Sequence, residues 1–473
     1  MRRLAAIALV CATPVGAQIE PGAAPALATE AWQAPTLTIV RYDEHRERLA
    51  DPAARDDHWT EPSKYIPFGD DGAYLTTGIE LRARNEAYRN NLWGGAAAPD
   101  DGYLWLRAMP YADVHVGRLR GFVQPVAAYA VGVAPAPGPV DQTRTDLLQG
   151  FVDVRFGTAD TGATSGLGVT LRAGRQMLSF GSERLIGTRY GPNVPLAFDG
   201  LRGIVSLPGA RIDLLAVRPV QAGTSSFDDR RSRTRRLYGA YVTVPLGEVG
   251  VDLYYLRFSN TAAAFGGMTA AERRHSIGVR LYGDTASWHW NTEAVTQFGR
   301  FGSGRIGAWT VTGEVGRRFA DAHFTPDVVL RVNVVSGDKR TGEGRLGTFN
   351  ALFPKGKYFG ELSPVGPTNI ISANPRAAFA LGGGVSGSVA AMAYWRQSRG
   401  DGVYDIPGNL IRAAGQSRAR FIGKQVEATL AWQATPELEL SSSLSAFEAV
   451  GFIRETGSAR TIGLLGVEAN FRF

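Results

Sequence analysis

Two-residue alternation between apolar and charged side chains constrains this chain more than any other feature. In "TGIELRARNE" the apolar Ile79, Leu81 and Ala83 alternate with Glu80, Arg82 and Arg84. "PDVVLRVNVV" puts Val328, Leu330, Val332 and Val334 on one face and Arg331 and Asn333 on the other, and "EANFRF" opposes Ala469, Phe471 and Phe473 to Glu468, Asn470 and Arg472. Successive strand side chains point to opposite faces, so these segments are strands with one apolar and one charged face. A soluble sandwich alternates too, but it has no need of dense aromatics on the apolar face near strand ends. In "WHWNTEAVTQF" Trp288, Trp290 and Phe298 share a face opposite His289, Asn291, Glu293 and Gln297, and Trp309, Phe319, Trp395 and Trp432 also fall near strand ends. Aromatic girdles around a lipid-facing band have that placement. The pattern predicts an all-β chain, a transmembrane antiparallel β-barrel.

About eighteen such segments follow one another, the first near Tyr74, the tenth near Arg274, the fourteenth near Ala377 and the last near Arg460; bacterial single-chain barrels have an even number of strands. Connections after even-numbered segments are mostly tight turns: "VGR" at 117, "LPG" at 207, "PLGE" at 245, "GDT" at 283 and "ATP" at 434. Those after odd-numbered segments are mostly long, as at Gln176 to Gly200, Arg218 to Arg236, Ser336 to Arg376 and Gln397 to Arg420. Short periplasmic turns and long extracellular loops alternate in this way. The terminal Phe473 suits a last strand read by the barrel assembly machinery.

The N-terminal "MRRLAAIALVCATPVGAQ" has a basic start, an apolar run and a small-residue exit, which reads as a signal peptide over residues 1–17. Residues 18–60 read as a periplasmic tether and lead-in, Ala/Pro-rich to Pro35, and 61–473 as the barrel, since no composition break follows residue 60. The one cysteine, Cys11, lies within the signal, so neither a disulfide framework nor a lipid anchor is expected. Beyond the signal no apolar run reaches the roughly 20 residues of a spanning helix.

The least strand-like passage is "GRLGTFNALFPKGKYFGE", Gly344 to Glu361, within the seventh outer loop. Packed against the vestibule wall, Phe349, Phe353 and Phe359 would hold Lys355 and Lys357 toward the lumen as a gating loop; the plain alternative is an exposed or lipopolysaccharide-facing loop.

A formal net charge of +7 and a pI near 9.5 point to an anionic partner, although an Arg-rich codon bias gives the same totals. Position is more informative. Alternation turns Arg82, Arg84, Arg107, Arg155, Arg172, Arg331 and Arg396 inward, together with acids such as Glu80, Asp113, Asp153 and Glu314. A wall salt bridge is the plain reading of each Arg. Those left unpaired in a narrow, low-dielectric pore would set anion preference, and the guanidinium fork suits carboxylates. No signature of catalysis is present: the six His are scattered without metal-ligand spacing, and no nucleophile elbow or phosphate loop occurs. "PDDG" at 99 and "FDDR" at 227 read as turn Asp rather than calcium ligands. Neither a cofactor, a metal nor a nucleic-acid partner is expected.

Several long, ordered passages together resemble one family. "DPAARDDHWTEPSKYIPFG" before the first strand, "LRAGRQMLSFGSERL" at 171, "GPNVPLAFDGLR" at 191, "GRLGTFNALFPKGKYFGE" at 344, "GPTNIIS" at 366 and "YWRQSRGDGVYDIPGNLIR" at 394 are similar to the alginate export family of outer-membrane proteins, from about residue 41 onward. The resemblance implies an eighteen-stranded monomeric barrel in the Gram-negative outer membrane, set in lipid and lipopolysaccharide. It further implies an Arg-lined constriction that exports an acidic polysaccharide, with a periplasmic scaffold as a possible partner. Family-type positions here are Gly174-Arg175-Gln176 and Trp395-Arg396, which adds Arg175 to the pore-lining candidates. Rival readings are a diffusion porin for small carboxylates and a non-conducting structural barrel.

Overall fold

The computed structural model describes residues 38–473 apart from 56, 57, 70, 71, 158–165, 341 and 343. The expected signal peptide and Ala/Pro-rich stretch lie outside them. Eighteen strands make the wall: β1 (Ala73–Arg89), β2 (Asp101–Val116), β3 (Leu119–Val131), β4 (Arg144–Gly157), β5 (Gly168–Met177), β6 (Ala197–Leu207), β7 (Ala210–Gln221), β8 (Arg235–Leu246), β9 (Val249–Phe265), β10 (Met268–Asp284), β11 (Trp288–Phe301), β12 (Gly304–Arg318), β13 (Asp327–Val335), β14 (Ile370–Gly382), β15 (Val385–Arg396), β16 (Phe421–Gln433), β17 (Leu438–Ala449) and β18 (Ile462–Arg472). Each pairs antiparallel with its sequence neighbours, and β1 pairs with β18, Glu80 opposite Arg472 and Arg84 opposite Glu468, so the sheet closes. Closure leaves no unpaired edge, which a bilayer would penalise.

The wall is inside-out relative to a soluble protein. Leu81 is 42% exposed, whereas its neighbours Glu80 and Arg82 are 2% and 3% exposed. Leu171, Leu201, Leu253 and Val311 likewise face outward, and Trp288, Phe319 and Trp432 lie exposed at one rim with Phe298 and Trp309 toward the other. An apolar exterior around a charged interior is stable only with lipid as the outer solvent.

Two strands begin earlier than the alternation suggests. β10 starts at Met268, not near Arg274, because Glu272, Arg273 and Arg274 put charge on both faces at the outer rim. β14 starts at Ile370, not near Ala377: Pro375 stays in register with Leu330 of β13, while the ladder to β15 passes from Ala373–Ala393 to Arg376–Ala390 around the proline. Connections after odd strands are mostly long, yet those after β9 and β11 are two-residue turns.

The lumen is filled from both ends. Residues 178–196 and 344–369 fold inward from the outer mouth. The chain from Thr38 to Arg46, expected as part of a lead-in, enters from the periplasmic side instead, with Val40, Arg41 and Tyr42 buried against wall residues.

Candidate functional site

The two inward loops are zipped together by their backbones. Phe353 N–H donates to the Leu185 carbonyl (2.9 Å), Gly187 N–H to Phe353 (2.8 Å) and Lys355 N–H to Glu183 (3.0 Å). Phe353 packs edge-on against Phe198 and Phe258 of the wall, and Phe359 against Tyr394. Phe349, Phe353 and Phe359 are all buried, so the aromatic face of the 344–369 segment turns inward.

Wall arginines bolt these loops in place. Arg82 and Arg107 stand directly opposite each other on β1 and β2, a like-charge pairing that costs stability unless something intervenes. Both guanidiniums donate to the loop: Arg82 to the carbonyls of Tyr190, Gly191 and Pro192, Arg107 to those of Tyr190, Pro192 and Asn193. Arg107 also pairs with Glu80 at 2.6 Å, and its guanidinium lies 4.3 Å from the centroid of the Tyr190 ring. Asn193 answers from the loop, its amide donating to the carbonyls of Leu106, Tyr129 and Asp141.

The other candidate arginines divide by partner. Arg84 is held by Glu86, Glu361 and Glu468. Arg172 makes a bidentate pair with Asp153, its cross-strand neighbour. Arg175 takes Asp199 at 2.8 Å with Asp146 at 3.7 Å. Arg155, half-buried near the end of β4, is also engaged. Arg396 donates to the carbonyls of Arg399, Asp401, Ser417 and Ala419 and so fixes the 397–420 loop. Arg331 donates to the Tyr358 carbonyl at 2.5 Å.

The charge left over is local. Among the described residues no carboxylate lies within 4.0 Å of Arg331, Lys355 or Arg376; Glu314, opposite Arg331 in the ladder, and Glu183 act on Lys355 from farther off. Burial, and then the neighbouring Arg331 charge, brings the Lys355 ammonium down to about 8. Lys357, two residues on, is compensated: it pairs with Glu361, and against burial, which acts the other way, Lys357 and Arg84 hold that carboxyl at about 2. Lys355, Arg331 and Arg376 are therefore a cluster of cations without a close ion pair among the described residues.

Sequence reading did not single out Tyr190, Asn193, Arg184 or Arg376. Arg184 reaches Asn333 and Tyr358 across the lumen; its one sequence signal is a place within "LRAGRQMLSFGSERL". Asp228 and Asp229 lie with Asp146 in an acidic group whose oxygens are within 4.8 Å of one another. Asp229 accepts from Thr143 and from the Gly223 N–H, as a turn residue does. A cavity of about 480 Å³ lined by Leu81, Ala83, Leu106, Ala127 and Phe471 faces lipid, not the lumen.

The family model described as "Alginate export" matches residues 73–462. Solved structures of the same fold include OccAB1 of Acinetobacter baumannii (12% identity over 88% of this chain and 99% of that one, TM-score 0.59). A BenF-like porin from Pseudomonas fluorescens is similar at 11% identity (84% and 99%, TM-score 0.56). So is Pseudomonas aeruginosa OccK2, solved in complex with glucuronate (12%; 84% and 98%; TM-score 0.54). At such identities the likeness concerns the fold. No curated protein matches the chain.

Proposed function

From the premise that this chain belongs to the alginate export family, we propose that it is an outer-membrane channel for carboxylate-bearing sugar polymers or related anionic solutes, in the direction of export. The observation that carries this reading is the group Lys355, Arg331 and Arg376 beside the zipped loops: among the described residues none of the three has a carboxylate within 4.0 Å, and the acids that act on Lys355, Glu314 and Glu183, do so from farther off. A low-dielectric wall strengthens such a group's attraction for a passing anion, and Arg offers a carboxylate two parallel donors. The candidate lining residues act in two ways. Arg84, Arg107, Arg172 and Arg175 stiffen the wall through acids, and Arg82 and Arg396 fix loops through carbonyls. Arg331 has a single loop carbonyl, that of Tyr358, and no carboxylate within 4.0 Å among the described residues, which leaves it to meet a solute with Lys355 of the gating loop beside it.

A second reading, a porin for small carboxylates, is favoured by the bolting itself. A polymer needs both loops to swing, and at least six wall-to-loop hydrogen bonds from Arg82 and Arg107 oppose that. Block of single-channel current by a uronate monomer and by an oligouronate separates the two. Export of a polymer predicts stronger block by the oligomer, and a small-solute porin predicts that the monomer blocks and the oligomer does not enter.

A further inference from the structure

Apart from the zipped loops, the lumen contains a second built site, and the chain's own Tyr42 occupies it. The ring sits edge-on to Phe151 (5.1 Å, 88°) and Phe122 (5.9 Å, 81°), and the Arg172 guanidinium lies 4.1 Å from its centroid. The hydroxyl donates to the Met177 carbonyl at 2.6 Å and accepts from Arg202 Nη1 at 3.2 Å. The backbone carbonyl of Tyr42 accepts from Arg120 Nη2 at 2.6 Å.

All of these partners belong to β3, β4, β5 and β6, and they are fixed without Tyr42. The Arg120 guanidinium is locked by Asp113, Arg172 by Asp153 and Arg202 by Asp213, on strands hydrogen-bonded to one another. The cradle is thus preorganised, which lowers the ordering cost of binding. Its occupant is held by side chains and not by a strand ladder: among the described residues Thr38 to Arg46 pair with no wall strand, Arg41 reaches the Phe473 carbonyl at 2.7 Å, and the first pairing of this arm is Ile66–Phe68 with β1. If Tyr42 leaves, the Met177 carbonyl and an Arg202 N–H lose their partners in a buried place, a cost that a similar ligand removes.

We propose that this cradle is a lumenal binding site for a planar aromatic ring carrying a hydroxyl group, and that the 38–46 segment is a tethered resident which a phenolic solute displaces. The guanidinium over the ring selects an aromatic face, which a saturated sugar ring lacks. Each of the three arginines is already paired with an aspartate, and a carboxylate has no proton for the Met177 carbonyl. The proposal rests on the channel reading but not on anion preference, and a neutral probe keeps the two apart.

The test uses p-cresol, the side chain of tyrosine, with the full chain in planar bilayers at pH 7. Tyr42→Ala current should be blocked saturably, at a concentration about tenfold lower than in wild type, where the resident competes. Tyr42→Ala/Arg202→Met should raise the blocking concentration about tenfold again, the loss of one charged hydrogen bond; Asp213 keeps Arg211 at 2.9 Å in that variant. Equal action on all three proteins, or on none, overturns the proposal. Should Tyr42→Ala fail to assemble, wild type still decides: p-cresol should speed tryptic cleavage after Arg41 and Arg46, and an unchanged rate overturns the idea. An unselective channel that nevertheless shows this pattern would reject the anion reading and leave the cradle standing.

Discussion

Replacing Lys355 with Glu reverses the charge that the structure leaves uncompensated, and the size of the effect follows from its surroundings. An anion passing at ~6 Å, with an effective dielectric of ~20, gains about 3 kcal/mol from one unit charge. Salt, together with the opposing Glu314, removes about three quarters of that, leaving ~0.7 kcal/mol, roughly threefold in permeability ratio per charge. Reversal changes two units, so Lys355→Glu should lower the anion-to-cation permeability ratio about tenfold, and Lys355→Gln about threefold. The assay is the reversal potential across a salt gradient for the protein in planar bilayers. Lys357→Glu is the control: Lys357 is already paired with Glu361, so its effect on selectivity should be smaller than that of Lys355→Glu. Equal effects at 355 and 357, or none at 355, would refute the argument that local compensation decides which cations select.

Because burial brings Lys355 down to about 8, its ammonium is charged below that pH and neutral above it. Anion selectivity should therefore fall between pH 7 and pH 9, with Lys355→Gln insensitive over the same range. Arg107→Met leaves Glu80 buried without its 2.6 Å partner and should destabilise the barrel by about 3 kcal/mol or more, read as a lower urea midpoint for the loss of the heat-modifiable electrophoretic band. With Cys11 the one native cysteine, in a Cys11→Ser background Ser225→Cys and Asn409→Cys on outer loops should label from outside intact cells, whereas Glu248→Cys and Pro436→Cys on the short turns should not; the reverse pattern would invert the barrel's orientation.

The barrel wall was legible because its signal is local. Alternation between Leu81 or Leu171 outside and Arg82 or Arg172 inside is enforced every second residue by two incompatible solvents. It blurred where those solvents give way, at the Glu272–Arg274 run on the outer rim and at Pro375, where the ladder rather than the sequence decides. The lumen's contents were legible only in part. Three phenylalanines in an unpatterned loop suggested packing against the vestibule wall. The backbone partners of Phe353, Leu185 and Gly187, lie more than 160 residues away and share no periodicity with it. Which arginines form close ion pairs is also a tertiary property: Arg84 and Arg331 have the same strand context, yet Arg84 meets Glu361 on a folded-in loop at 2.7 Å, whereas Arg331 meets the Tyr358 carbonyl. The "TIVRY" approach to Tyr42 looked like a lead-in because a single aromatic in a short segment carries no pattern.

Reversal potential and uronate block of the wild-type protein, measured together in one planar bilayer under a potassium chloride gradient, test the central claim most directly. The account predicts a conducting, anion-selective channel whose current falls in a saturable way as uronate is added. A channel that prefers potassium, or one whose current uronates leave unchanged, would contradict it.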